Sequence, residues 1–284
     1  MMTRLSKYNI RAVITWYTVI ISFFAGLASY TYAAEPFTIG IVPQYDQRQL
    51  FEIWKPIVDE LQKRTGLAFR LVSVPTIPAF EKEFLAGSYD FAYMNPYHVL
   101  KARKFQGYTP IVRDRAALRG ILVVRNDSQI TKLSALNGKV VAFPSPNALG
   151  ASLLMRADLS RLHHVSVVPL YVKTHDSVYL HVVKGLAEAG GGVQKTLDEQ
   201  DKPIQQSLRI LYTTRDLPSH PIVVHPRVPQ RDEEKVRNAF LEMAATKEGQ
   251  KLLLKIPMKQ PVSTSMDDYS RMQEWGLDSF WVEE

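Results

Sequence analysis

Short β-type runs that stop at a proline, each followed by a helical pattern, recur along this chain from residue 37 onward. That alternation constrains the fold more than any other feature, because strands separated by helices pair in an α/β sheet. Residues 37–42 (FTIGIV) form the first run and end at Pro43. Leu50, Trp54, Ile57, Val58 and Leu61 then fall on one helical face, and Gly66 supplies a stop. Pro56 lies inside that pattern and predicts that the helix starts or kinks there. Residues 69–74 are the next strand, closed by Pro75. Phe80, Phe84 and Leu85 mark a short helix ending at Gly87. Residues 90–94 form a third strand, after which Pro96 opens another helix.

The pattern restarts after a longer apolar run, residues 120–124. Strands are expected at residues 139–143, 167–172, 208–213 and 221–224. Helices are expected over residues 149–162, on the face formed by Val178, Val182, Val183 and Leu186, on that of Val236, Phe240, Leu241 and Ala244, and over residues 267–275. Two α/β units without a low-complexity linker suggest two lobes joined by crossing strands, placed near residues 119–125 and 217–224. The expected architecture is a two-lobed α/β fold, each lobe a mostly parallel sheet flanked by helices. Residues 34–118 and 222–284 would form one lobe and residues 119–221 the other. At 284 residues and 46% hydrophobic types, each half has enough chain for its own core.

Residues 1–33 read differently. Arg4, Lys7 and Arg11 precede the uncharged run 12–28, and Thr31-Tyr32-Ala33 fits a small-x-small cleavage site. This is the tripartite pattern of a cleavable secretory signal peptide, which places the mature chain in the periplasm of a two-membrane host. An uncleaved anchor is the alternative. There is no cysteine, which excludes a disulfide framework, a thiol nucleophile and a lipoprotein anchor. Without Arg4, Lys7 and Arg11 the formal charge falls from +7 to +4. That surplus contains no basic run, so nucleic acid is not an expected partner.

The polar residues of interest follow strand ends, where open α/β sheets bind ligands. Tyr45 follows the first strand. Tyr93 and Asn95 close the third, and Asn95 can cap a helix, contact a ligand, or do both. After residues 139–143 come Ser145, Asn147, Ala148, Leu149, Gly150 and Ser152 at a helix start. Their free amides can meet an anion, or Ser145 or Asn147 can serve as an ordinary cap. His175 and Asp176 begin another helix; the histidine can hydrogen-bond an anion, and the aspartate can cap or receive an amine. Gly190, Gly191 and Gly192 are read as a flexible stretch that lets backbone approach a ligand; they match neither a P-loop nor a dinucleotide fingerprint. G-x-S-x-G, H-E-x-x-H and paired metal-ligand spacings are missing. Binding is therefore expected rather than catalysis, with no cofactor or metal. An enzyme using His175 and Asp176 is the alternative from another class.

Over about residues 37–275 the chain resembles the phosphate/phosphite/phosphonate substrate-binding proteins of ABC transporters. The matching pieces are residues 39–43 with Trp54-Lys55-Pro56, residues 89–93, residues 122–128, Ser145-Pro146-Asn147, Thr174-His175-Asp176-Ser177 and residues 221–224. The resemblance implies a type II periplasmic-binding fold that closes by hinge motion around a small anion and is read, as a monomer, by a membrane permease. A membrane sensor kinase is the alternative partner. Two departures stand out. Phosphonate binders carry Ser-Thr-Ser-Gly after the Pro-Asn, whereas this chain has Ala148-Leu149-Gly150-Ala151, so three hydroxyl donors are missing. The family's Val-Asp-Ala-Ala is replaced by residues 186–192 (LAEAGGG), which loses or shifts a carboxylate that would meet a ligand's positive group.

Overall fold

The computed structural model describes residues 35–283; the segment read as a signal peptide lies outside them. Among the described residues no helix is long and apolar enough to cross a membrane.

Strand β1 (Phe37–Ile41) enters a turn whose Asp46 caps helix α1 (Gln47–Thr65), accepting from the Gln49 amide at 3.0 Å. Gly66 ends the helix at φ 69°, in the left-handed region that a glycine adopts without Cβ strain. Leu50, Trp54, Ile57, Val58 and Leu61 are buried on one face. Pro56 does not start α1, one of the two outcomes expected of it: it sits inside one continuous helix. It deprives the Glu52 carbonyl of a donor, but Glu52 is exposed and water can take that place. The buried stripe on either side outweighs the loss.

β2 (Phe69–Ser73), α2 (Ile77–Leu85), β3 (Phe91–Tyr93), α3 (Pro96–Gln106) and β4 (Thr109–Asp114) follow. The chain then crosses to a second sheet: β5 (Gly120–Arg125), β6 (Val140–Phe143), α4 (Leu154–Arg161), β7 (Val168–Tyr171), α5 (His175–Val183), β8 (Ala189–Val193), the short helices α6 (Gln194–Asp198) and α7 (Lys202–Ser207), and β9 (Leu208–Thr213). It returns for β10 (Pro221–Val224), α8 (Gln230–Met243), α9 (Lys247–Leu253), β11 (Pro261–Ser263) and α10 (Asp267–Ser270). Single-turn helices at Arg271–Trp275 and Leu277–Phe280 complete the chain.

The strand orders are β11-β4-β10-β3-β1-β2 and β7-β6-β8-β5-β9. β1 pairs in parallel with β2 and β3, and β6 with β7 and β8. Strands adjoining the crossings run the other way: β10 is antiparallel to β3 and β4, and β5 to β8 and β9. Both sheets are thus mixed rather than mostly parallel, because the chain enters each one from the opposite end after crossing. The crossing segments touch at an antiparallel bridge between Leu118 and Leu217.

The glycine run is not a flexible loop. It forms β8, a fully buried strand inside the second sheet. A Cβ on Gly191 would stand 1.9 Å from the Ala151 carbonyl oxygen, and one on Gly120 would stand 2.0 Å from that of Gly150. The glycines do admit a close backbone approach, but the approaching backbone is the turn at Leu149–Leu153. That turn is a π-helical entry to α4, where an α-helix was expected from the start. Its Leu149, Leu153 and Leu154 join the large apolar cluster of the first lobe, which also holds Leu217 and Leu277. Three smaller clusters, around Leu122, Ile121 and Ala142, belong to the second lobe.

Candidate functional site

The carboxyl ends of β1, β3, β6, β7 and β8 converge on the seam between the lobes. Asn95 caps α3, its Oδ1 accepting from the Tyr97 and His98 amides at 2.9 Å each. This fixes Nδ2 toward the second lobe, where it donates to the Asn147 carbonyl at 3.2 Å. Capping and cross-lobe contact therefore coexist in one side chain.

A cavity of about 20 Å³, room for one water-sized group, lies at the seam. Of the sequence candidates, Asn95, Ala148, Leu149, Gly150 and His175 line it. Leu149, Gly150 and Ala151 open the π-turn, so their amides have no earlier helical carbonyl to bond. His175 is buried, and burial lowers its pKa to about 4. Its Nδ1 lies 3.4 Å from Thr196 Oγ1. Thr196 Oγ1 in turn donates to the Val193 carbonyl at 2.9 Å and lies 2.8 Å from the Tyr179 hydroxyl, so the imidazole is anchored to β8 and its neighbour helix.

The other candidates sit around the cavity rather than on its wall. Tyr93 ends β3 fully buried, packed on Trp54 at 4.9 Å, with its hydroxyl unpartnered. Burial, aided by the Asp114 and Tyr269 charges, raises its pKa well above the ordinary value. Tyr45 donates its hydroxyl to Glu199, across the seam on the second lobe. Asp176 neither caps α5 nor pairs with His175. Thr174 is the cap, and Asp176 Oδ1 accepts from Gln200 at 2.6 Å. Ser145 lines a second mouth of about 160 Å³ with Lys173, its buried hydroxyl unpartnered. Ser152 accepts from Arg156 Nε at 3.3 Å.

Asn147 is fully committed to the protein itself. Its Nδ2 donates to Glu81 at 2.9 Å and to the Val282 carbonyl at 2.7 Å, while its Oδ1 accepts from the Val282 amide at 3.0 Å. Neither it nor Ser145 caps the helix start, which has no side-chain cap. Arg156 also holds this tail, at the Phe280 carbonyl, 2.7 Å away. On the first lobe, Tyr97 and Lys101 bond Asp278 at 2.9 and 2.6 Å. The C-terminal segment is therefore a third tie between the lobes.

Sequence reasoning missed His220 and Gln44, both on the cavity wall. His220 directly precedes β10 and stacks on Tyr93, with ring centroids 5.4 Å apart. Its Nδ1 has no partner, and burial lowers its pKa to about 3, with His98 and His175 adding to the effect. A histidine beside the returning strand was a usable signal, because that strand abuts β3. His220 and Leu118 also border an outer chamber of about 470 Å³.

Two mixed α/β sheets, two crossing segments and polar groups gathered where strand ends meet define a two-lobed binding protein of the type II periplasmic class. Residues 39–269 match the family model described as ABC transporter, phosphonate, periplasmic substrate-binding protein, and the chain belongs to that family. Solved structures agree on the fold. A binding protein component of an ABC phosphonate transporter from Pseudomonas aeruginosa superposes with a TM-score of 0.77 at 16% identity, covering 84% of this chain and 85% of the other. PhnD1 from Prochlorococcus marinus, in complex with methylphosphonate, gives 0.78 at 15% identity, covering 86% and 97%. A Xanthomonas citri protein bound to chloride ion gives 0.72 at 19% identity, covering 86% and 98%.

Proposed function

We propose that this chain captures a small oxyanion or organic anion in the periplasm, as a monomer, and presents it to an ABC permease. One observation carries the reading: Asn95, His175, His220 and the first amides of the π-turn meet around a single cavity between two lobes. Neutral donors and a helix start suit an anion that must later be released. Hinge motion at the Leu118–Leu217 bridge opens the seam; because the cavity of about 20 Å³ holds one water-sized group, a bound solute holds the lobes further apart than they stand here, and it favours that arrangement only by binding it better than the open one. By the resemblance, Ala148, Leu149 and Gly150 stand where phosphonate binders place hydroxyls, so weak binding of alkylphosphonates is expected.

The test is a thermal-shift screen of the purified chain with phosphate, phosphite, alkylphosphonates, sulfur oxyanions and small carboxylates. A bound solute raises the melting temperature, and His175→Ala and Tyr93→Ala reduce that rise. A panel with no response would displace the reading, as would turnover of the tightest ligand.

A further inference from the structure

The reading above leaves open how much charge the solute carries, and the wall of the cavity bears on that. Among the described residues it has no lysine and no arginine. Its polar side chains are Gln44, Asn95, His175 and His220, and burial keeps both imidazoles neutral. Val42, Ile77, Leu118 and Leu149 supply much of the rest.

The charge reached next, through bonded contacts, is negative. Asn95 Nδ2 lies 3.0 Å from His98 Nε2, which lies 2.9 Å from Glu81 Oε1. Glu81 is 5% exposed, and its bonds come from His98 and the Asn147 amide, both lacking fixed positive charge. At Tyr45 stands Glu199, itself paired with Lys195, and the Asp176 carboxyl nearby has its pKa raised by burial first and then by the Asp46 and Glu199 charges. Of the cations of the outer chamber, Lys195 is bound to Glu199 and Arg119 to Asp216, while Lys259, whose backbone amide donates to Asp114, makes no ion pair among the described residues and stands outside the cavity wall.

Neutral donors and a helix start can hold one negative charge. A second needs either a cation or further donors, and low-dielectric surroundings magnify its repulsion from a nearby carboxylate. We propose that the inter-lobe site selects a small monoanion carrying an apolar substituent, a phosphinate or a carboxylate, over a dianion of the same shape.

Dimethylphosphinate and methylphosphonate test this directly. They differ by a methyl in place of one oxygen, and at mildly alkaline pH the first carries one charge and the second two. Titration calorimetry of the purified chain is expected to show dimethylphosphinate binding roughly tenfold tighter or more. Glu81→Gln is expected to narrow that ratio by strengthening methylphosphonate binding. Equal or tighter methylphosphonate binding by the unsubstituted protein overturns the charge selection while leaving solute capture standing. Silence from this pair and from the whole anion panel removes both. An unchanged ratio in a folded Glu81→Gln variant overturns the part assigned to Glu81, and the ligand pair decides the rest without that variant.

Discussion

Tyr45 and Glu199 bind one another across the seam, the hydroxyl of a first-lobe turn donating to a carboxylate of the second lobe. Tyr45 is buried, and its pKa is raised by burial first and by Glu199 second, so the phenol stays protonated and keeps its donor role. The pair ties the mouth of the cleft together when the lobes meet.

Tyr45→Phe removes that donor while keeping the ring. A hydrogen bond to a charged group contributes about 1.5–3 kcal/mol when buried, and this one is only partly shielded, so the lower end applies. Solute affinity is expected to fall by roughly tenfold, read by titration calorimetry, with the melting temperature of the free protein little changed.

Asn147→Ala should be a stability variant rather than a binding variant. It leaves Glu81 without one donor and both backbone groups of Val282 without partners. Stranded buried polar groups cost about 1–3 kcal/mol each where water cannot reach them. At this chain length a loss of about 3 kcal/mol lowers the melting temperature by roughly 6–12 °C, which scanning calorimetry would resolve.

His175 and His220 make stability depend on pH. Burial holds their folded pKa values at about 4 and about 3, below the ordinary histidine value of about 6.5, so the unfolded chain takes up protons first as pH falls. The stabilisation is complete above about pH 6.5 and is lost progressively below it, down to about pH 4 for His175 and about pH 3 for His220, by an amount on the order of 3 kcal/mol or more for each histidine. Unfolding curves from pH 7.5 to about pH 4.5 should therefore shift steeply, and His220→Gln should flatten the dependence.

Gly191→Ala places a methyl group against the Ala151 carbonyl and the Phe143 ring. Neither backbone nor core ring can retreat without moving the π-turn, so a loss of about 3 kcal/mol or more is expected in urea unfolding. Gly138→Ala is a useful control. It is strained only by its φ of 71° and meets no atom within 4 Å, so its cost should be smaller.

Much of the architecture was legible because local signals and tertiary demands agree in the first lobe. Leu50, Trp54, Ile57, Val58 and Leu61 announce α1, and proline closes β1 and β2 where the chain turns. Legibility failed where tertiary packing decides. Three consecutive glycines look like a flexible stretch open to a ligand, yet they are a strand whose missing side chains make room for Ala151, Val178 and Tyr179. Of the site, Asn95, His175 and the helix start were readable from their places after strands. The employment of Asn147 was not, because its partner Val282 lies 135 positions away. His220 had only the weaker signal of its place beside the returning strand, since its neighbours Tyr93 and Gln44 come from the far side of the crossing.

The tail from Trp275 to Val282 gives the molecule a constraint that two crossing segments alone would not impose. Arg161 grips the Trp275 carbonyl and the Ser279 hydroxyl from one lobe, while Lys101 rests over the Trp281 ring from the other. A body held at three points cannot twist freely about the line through two of them. Swinging the halves apart must either peel this segment from one side or bend along the direction it allows, so the geometry of opening is written as much into the last few residues as into the hinge.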